Sequence, residues 1–311
     1  MQPMKLTGLI SATYTPFHSD GSVNLDLVAP MVDHMIERGV SGFYVCGSTG
    51  EGESLSVEER KSLAKAFVSA TRKRVPVVIQ VGHNTIDSAA ELARHAEVIG
   101  ADAISSVPPS YFRPDSLDTL VDCIEKITSS APNLPYYYYH IPRLSGTSFD
   151  TVALLEKAEQ RIPSFNGIKF SDFFLAEMLW CQEFAQGKYD ILFGSDEMIL
   201  GALSMGAKGA VGSCYGFAAP LWRNIITSFE AGDIDKAQYW MSKAANLVRM
   251  IATQPGPFQG CVREVIWPML GFDVGPMRLP NPTLSDEARD LARKNLEESG
   301  FADQIISGDY Q

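Results

Sequence analysis

The chain has 311 residues, of which 45% are hydrophobic and 20% charged, with a formal net charge of −11 at pH 7. That composition is ordinary for a globular protein, and the length allows one large domain or two small ones. The acidic balance, with no long basic run to offset it, argues against nucleic acid and anionic membrane surfaces as partners.

From the N-terminus, Met1-Gln2-Pro3-Met4-Lys5-Leu6 has one lysine and no long apolar core, unlike a signal peptide. No stretch approaches about 18 uninterrupted apolar residues, so no membrane span is expected. Strand-like segments follow at Gly8–Thr13, Gly42–Cys46, Val77–Val81, Ala103–Val107, Tyr136–Tyr139, Gly167–Phe170, Ile191–Phe193 and Ala210–Gly212. Between them lie amphipathic segments such as Asp26–Arg38, Val57–Thr71, Ser88–Ile99 and Asp115–Ser129. Strands alternating with helices predict an α/β fold with a parallel sheet, and the count favours a closed (β/α)8 TIM barrel over residues 1–220. An open doubly wound sheet is the alternative; it usually carries a glycine-rich nucleotide loop. After residue 220, Leu221–Ala231, Ile234–Gln254, Gly260–Leu270 and Ser285–Ser299 read as helices, interrupted by the proline-rich Gly275–Pro282. They predict a C-terminal helical extension, residues 221–311, packed on the barrel as part of one structural unit. The five cysteines, Cys46, Cys123, Cys181, Cys214 and Cys261, are widely spaced, odd in number and form no CxxC pair. This pattern predicts free thiols in a reducing cytosol rather than a disulfide framework or a zinc site.

In such a barrel the active site lies at the C-terminal ends of the strands. The Gly47-Ser48-Thr49-Gly50-Glu51-Gly52 loop after the second strand offers hydroxyls and backbone N–H groups suited to an anion. It matches neither phosphate-loop pattern, so a carboxylate is expected there, unless the segment is only a turn with a helix cap. Tyr136–Tyr139 closes the fifth strand. Its tyrosines also serve as bulky β-formers, but Tyr139, the last of them and of the same parity as Tyr137, is positioned to relay a proton. Lys169 sits in Gly167-Ile168-Lys169-Phe170, where alternation puts it opposite Ile168 and Phe170. In a sheet covered on both faces its amine would be desolvated and nucleophilic, able to form an imine with a carbonyl compound; on an edge strand it would be a surface lysine. Asp196-Glu197 after the seventh strand is either a helix-terminal pair or a sugar-hydroxyl acceptor. The five histidines show no HExxH or comparable spacing, and no metal is expected.

GSTGE, then YHIP, then GIK, then GSDE, in this order and spacing, resembles the N-acetylneuraminate lyase and dihydrodipicolinate synthase family of aldolases. The resemblance runs from about Leu6 into the C-terminal helices. It is strongest to the sialic-acid-cleaving branch, through Tyr136–Pro142, Gly167–Asp172 and Gly275–Pro280. It implies a (β/α)8 barrel, a homotetramer and no cofactor. Lys169 is then the Schiff-base lysine and Tyr139 the catalytic tyrosine. Tyr111 is the residue that approaches a neighbouring subunit's site, although Ser110 replaces the first of the usual two aromatics. Ser48 and Thr49 hold the pyruvyl carboxylate; Ser171, Gly194, Asp196, Glu197, Gly212 and Ser213 contact the rest of the substrate. Synthase-type members carry arginine where this chain has Leu144. The activity so implied is reversible cleavage of N-acetylneuraminate to N-acetylmannosamine and pyruvate. The competing readings are another pyruvate-dependent aldolase such as the dipicolinate-forming synthase, a metal-dependent aldolase, and a non-catalytic sugar-acid binder.

Overall fold

The computed structural model describes residues 4–310; Met1–Pro3 and Gln311, at the two ends of the segments read above, lie outside it. Eight strands, β1 (Gly8–Ala12), β2 (Gly42–Val45), β3 (Val77–Gln80), β4 (Ala103–Ser106), β5 (Tyr136–His140), β6 (Phe165–Phe170), β7 (Asp190–Phe193) and β8 (Gly209–Gly212), pair in parallel in chain order. β8 closes onto β1 through Ile10↔Val211 and completes a (β/α)8 barrel. Nearly every strand residue is buried and most are apolar because both faces are covered. Ile10, Tyr44, Val78, Ala103, Tyr137, Tyr139, Leu192 and Val211 fill the interior. Alternate residues such as Leu9, Phe43, Ile104, Tyr136, Tyr138 and Ile168 face the helices. Gly167 has a steric role, since a Cβ there would lie 1.8 Å from the Asp190 carbonyl oxygen of β7.

The barrel floor is sealed by polar residues paired to one another. Asp190 accepts from the Tyr137 hydroxyl at 2.8 Å and from the Leu6 N–H at 2.9 Å. Asn166 exchanges two hydrogen bonds with the backbone of Met4.

Several helices begin on side-chain caps. Ser56 and Glu59 form a capping box at Val57–Thr71, and Ser116, Asp150, Asp233 and Ser285 cap later helices. Residue 220 is Pro220, inside the helix Tyr215–Glu230 that follows β8; this helix begins six residues earlier than the apolar pattern from Leu221 indicates. Helix Ile234–Ala252 comes next, and Phe258–Met269 is helical with a π turn at Val262–Ile266. Trp240, Leu247, Trp267, Val274, Leu296 and Tyr310 of this part belong to the same buried cluster as Tyr14, Met31 and Phe43 of the barrel. No helix among the described residues is long and apolar enough to cross a membrane.

Candidate active site

Lys169 points into the barrel, opposite to Ile168 and Phe170, which pack on the helices. It is 3% exposed, and its Cα partner across the ladder is Tyr139. Its Nζ lies 3.8 Å from the Tyr139 ring centroid and 3.9 Å from that of Tyr44. The two rings meet edge to face with centroids 5.6 Å apart. Burial pulls the Lys169 pKa below the ordinary lysine value, while Tyr139, by charge and hydrogen bonding, and the Asp196 carboxylate act against that shift. A lysine held this way supplies a neutral amine more readily than one in water. The Tyr44 hydroxyl is committed to Ser105 Oγ at 2.9 Å.

The loop after β2 is tightly folded. Cys46 and Glu51 both have positive φ, 62° and 54°. Gly50 and Gly52 N–H groups donate to the Gly47 carbonyl at 3.1 Å, and Thr15 Oγ1 donates to the Gly50 carbonyl at 2.6 Å. A Cβ on Gly52 would lie 1.9 Å from the Cys46 carbonyl oxygen. Ser48 is exposed and Thr49 buried. Thr49 Oγ1 and Ser213 Oγ share a hydrogen bond of 2.7 Å, joining the loops after β2 and β8. Ser48 opens onto a cavity of about 210 Å³ that Gln80, His83, Asn84, Val107 and Leu144 also line.

Across the mouth, two glycines make room for the side chains of Ser171 and Asp196. A Cβ on Gly194 would lie 1.9 Å from Ser171 Oγ, and one on Gly212 would lie 1.6 Å from Asp196 Oδ1. Asp196 is buried, accepting the Cys214 N–H at 2.9 Å through Oδ2, while its carbonyl accepts from Trp222 Nε1 at 2.9 Å. Burial raises its pKa to about 6, against the lowering effect of the Cys214 hydrogen bonds. Glu197, the next residue, is exposed at the rim.

Lys169, Tyr139 and Asp196 thus interact directly or electrostatically; Thr49 meets Ser213, Ser171 meets Gly194 and Asp196 meets Gly212. Tyr111 stands apart: it is 80% exposed in the loop after β4, its N–H on Asn84 Oδ1 at 3.1 Å and its ring against Phe112. Among the described residues, no group of three or more His, Cys, Asp or Glu side chains is gathered as a metal site would require. Sequence reasoning missed Tyr44, although its inward parity with Gly42 was readable. It also missed Arg263, an arginine inside the apolar run Val262, Val265, Ile266, whose side chain is fully buried against Glu51 with Nη1 3.3 Å from Oε1.

A closed parallel barrel with a buried lysine flanked by tyrosine rings at the C-terminal ends of its strands defines a barrel with an amine-bearing active site. The family model described as the dihydrodipicolinate synthetase family matches residues 5–299, and the chain belongs to that family. Among curated relatives, N-acetylneuraminate lyase A of Xenopus laevis is 40% identical over 279 residues, 89% of this chain and 90% of that protein. The Homo sapiens N-acetylneuraminate lyase is 36% identical over 303 residues, 96% and 93% of the two chains. Among solved structures, the Proteus mirabilis N-acetylneuraminate lyase superposes with a TM-score of 0.91 at 38% identity, covering 96% of this chain and all of the other.

Proposed function

We propose that this chain is a Schiff-base aldolase that reversibly cleaves N-acetylneuraminate to N-acetylmannosamine and pyruvate. The observation that carries the reading is Lys169, buried between the rings of Tyr139 and Tyr44 with its pKa lowered. The neutral amine attacks the C2 ketone of the open-chain sugar acid, and loss of water leaves an iminium joined to Nζ. The C3–C4 bond breaks as its electron pair moves into the iminium, giving an enamine. The C4 hydroxyl proton leaves at the same time, and C4 becomes the aldehyde of N-acetylmannosamine. Tyr139 takes that proton, through the substrate carboxylate or directly, and returns it to C3. Hydrolysis of the resulting imine frees pyruvate and Lys169. Positioned proton transfer of this kind is typically worth about 10²–10⁴-fold in rate.

Ser48 and Thr49 are assigned to the carboxylate, and Ser171, Gly194, Asp196, Glu197, Gly212 and Ser213 to the rest of the sugar acid. Asp196 is already hydrogen-bonded to the Cys214 N–H, so Glu197, open at the rim, is the freer acceptor for hydroxyls. Leu144 lines the cavity beside Ser48, and Arg143 is turned toward the Phe173 ring, 5.9 Å from its centroid. Neither presents the arginine that a synthase-type carboxylate site uses, which favours the lyase over the dipicolinate-forming reading.

We assign the protein to the cytoplasm on its five free thiols, four of them buried. We also assign it a homotetrameric state in which Tyr111 and Phe112, 80% and 85% exposed, meet a neighbouring copy.

The test is to incubate the protein with pyruvate and borohydride and map the adduct. Irreversible attachment at Lys169, together with pyruvate release from N-acetylneuraminate, is the expected result. Attachment at another lysine, such as Lys208, would sink the mechanism. Efficient condensation of pyruvate with aspartate semialdehyde by a protein that ignores N-acetylneuraminate would replace the lyase with the synthase.

A further inference from the structure

Glu51, in the Gly47–Gly52 loop, borders the cavity beside Ser48 but commits its carboxylate to the body of the protein. Its side chain is 2% exposed and pairs at 3.3 Å with Arg263, which is fully buried. The other carboxylate oxygen accepts from the Arg278 N–H at 3.0 Å and from Asn281 Nδ2 at 3.3 Å. Arg263 Nη2 in turn donates to the Thr15 carbonyl at 2.9 Å and the Val274 carbonyl at 2.7 Å. Thr15 is also the residue whose hydroxyl holds the Gly50 carbonyl. The guanidinium carbons of Arg263 and Arg278 lie 4.8 and 4.5 Å from the centroid of the Phe17 ring. Arg278 itself is clamped to Glu59 and to the Gly21 carbonyl. Arg263 sits in the π turn Val262–Ile266, an irregularity that recurs at functional sites.

A buried ion pair seldom stabilises a fold, because desolvating two charges offsets their attraction. What this pair achieves is geometric. The loop that carries Ser48 and Thr49 is fixed from two sides. Thr15 grips the carbonyl of Gly50, and Glu51, in a left-handed backbone conformation, is tied to two separate segments of the C-terminal extension.

We propose that Glu51 is a positioning residue for the substrate carboxylate, acting through Ser48 and Thr49, and that Arg263 and the 275–282 segment are the anchor that holds it. This deepens the Schiff-base reading and rests on it. The C-terminal extension is then a determinant of substrate affinity through Arg263, which is buried away from the cavity, and through Asn281, which also borders the cavity beside Ser48.

The experiment titrates pyruvate against the rate of borohydride trapping at Lys169, using the full chain, and records thermal unfolding of each variant. In the Glu51→Gln protein the half-saturating pyruvate concentration should rise about 10-fold or more, while the maximal trapping rate stays within about threefold, because the reacting groups are untouched. The double variant Glu51→Gln/Arg263→Met leaves no unpaired buried charge, so it tests the proposal if the single variant fails to fold. Asn281→Ala removes one hydrogen bond to Glu51 at the edge of the cavity and should shift half-saturation in the same direction by about twofold to fivefold. Arg289→Gln, which breaks the 2.7 Å pair with Glu264 in the same extension, should lower the melting temperature and leave half-saturation unchanged. Half-saturation equal to wild type in folded Glu51 variants and in Asn281→Ala would overturn the proposal. So would a rise in Arg289→Gln as large as theirs. Failure of the wild-type protein to trap pyruvate at all would instead refute the aldolase reading.

Discussion

Tyr139 and Lys169 are Cα partners across the β5–β6 ladder, and the Lys169 Nζ rests 3.8 Å from the centroid of the Tyr139 ring. A slip of β6 by one residue against β5 would turn Lys169 out among the helices and leave Tyr139 facing inward. Pairing register therefore places the amine and the phenol together, and Gly167 supports it by letting β6 and β7 close up.

Tyr139 holds the Lys169 pKa up while burial pulls it down. Removing the phenol should therefore move the acidic limb of the trapping rate to lower pH, since less of the amine stays protonated. Tyr139→Phe is expected to show that shift together with a loss of about 10²–10⁴-fold in N-acetylneuraminate cleavage. Trapping rates between pH 5 and 10 check it; an acidic limb moved to higher pH would contradict the assignment.

Asp196 has its pKa raised from 3.8 to about 6 by burial. Below pH 3.8 the group is protonated whether the chain is folded or not and has no effect on stability. As pH rises through the window, the unfolded chain ionises first, so folding is progressively disfavoured until about pH 6. Two pH units correspond to a penalty of about 2–3 kcal/mol. Asp196→Asn, which does not titrate, should gain on wild type between pH 4 and 7 in denaturant midpoint. Parallel pH profiles for the two proteins would show that the carboxyl is not buried as described.

Glu197 is exposed at the rim, where the hydroxyls of a sugar acid held at Ser48 and Thr49 would reach it. Glu197→Gln should lower kcat/KM for N-acetylneuraminate by the equivalent of about 1–3 kcal/mol while leaving pyruvate trapping intact. Equal losses in both assays would place Glu197 in the imine chemistry instead.

Cys46 adopts φ of 62° just before the Ser48 loop. A β-branched residue is strained in that conformation, so Cys46→Val should lose about 1–3 kcal/mol of stability and weaken pyruvate binding. Cys46→Gly, which accepts the conformation freely, should bind pyruvate like wild type. Chemical denaturation and pyruvate titration of both variants measure the difference; a Val variant as stable as wild type would mean the loop does not require the left-handed backbone.

The barrel was legible because every strand is covered on both faces, so each appears as a short, mostly apolar run set between amphipathic segments. Parity alone then put Lys169 and Tyr139 on the inner wall. What could not be read depends on contacts between distant segments. Nothing near Asp196 announces that the Cys214 N–H and the Gly212 Cα will enclose it. Nothing near Glu51 points to an arginine more than two hundred positions away. The start of the helix after β8 was missed because Tyr215–Pro220 has no polar face: its residues pack between barrel and extension.

The sealed floor has a kinetic consequence. Among the described residues, Asp190, Tyr137 and Asn166 close the lower end, so the barrel is a well open at the C-terminal ends of its strands, and Lys169 stands on its inner wall. On the proposed mechanism, C3–C4 cleavage would leave the pyruvyl fragment bonded to Nζ while the aldehyde fragment is no longer covalently held. The aldehyde would then depart before the imine is hydrolysed, and pyruvate would leave last. Pyruvate should accordingly act as a competitive product inhibitor of cleavage, and N-acetylmannosamine as a noncompetitive one.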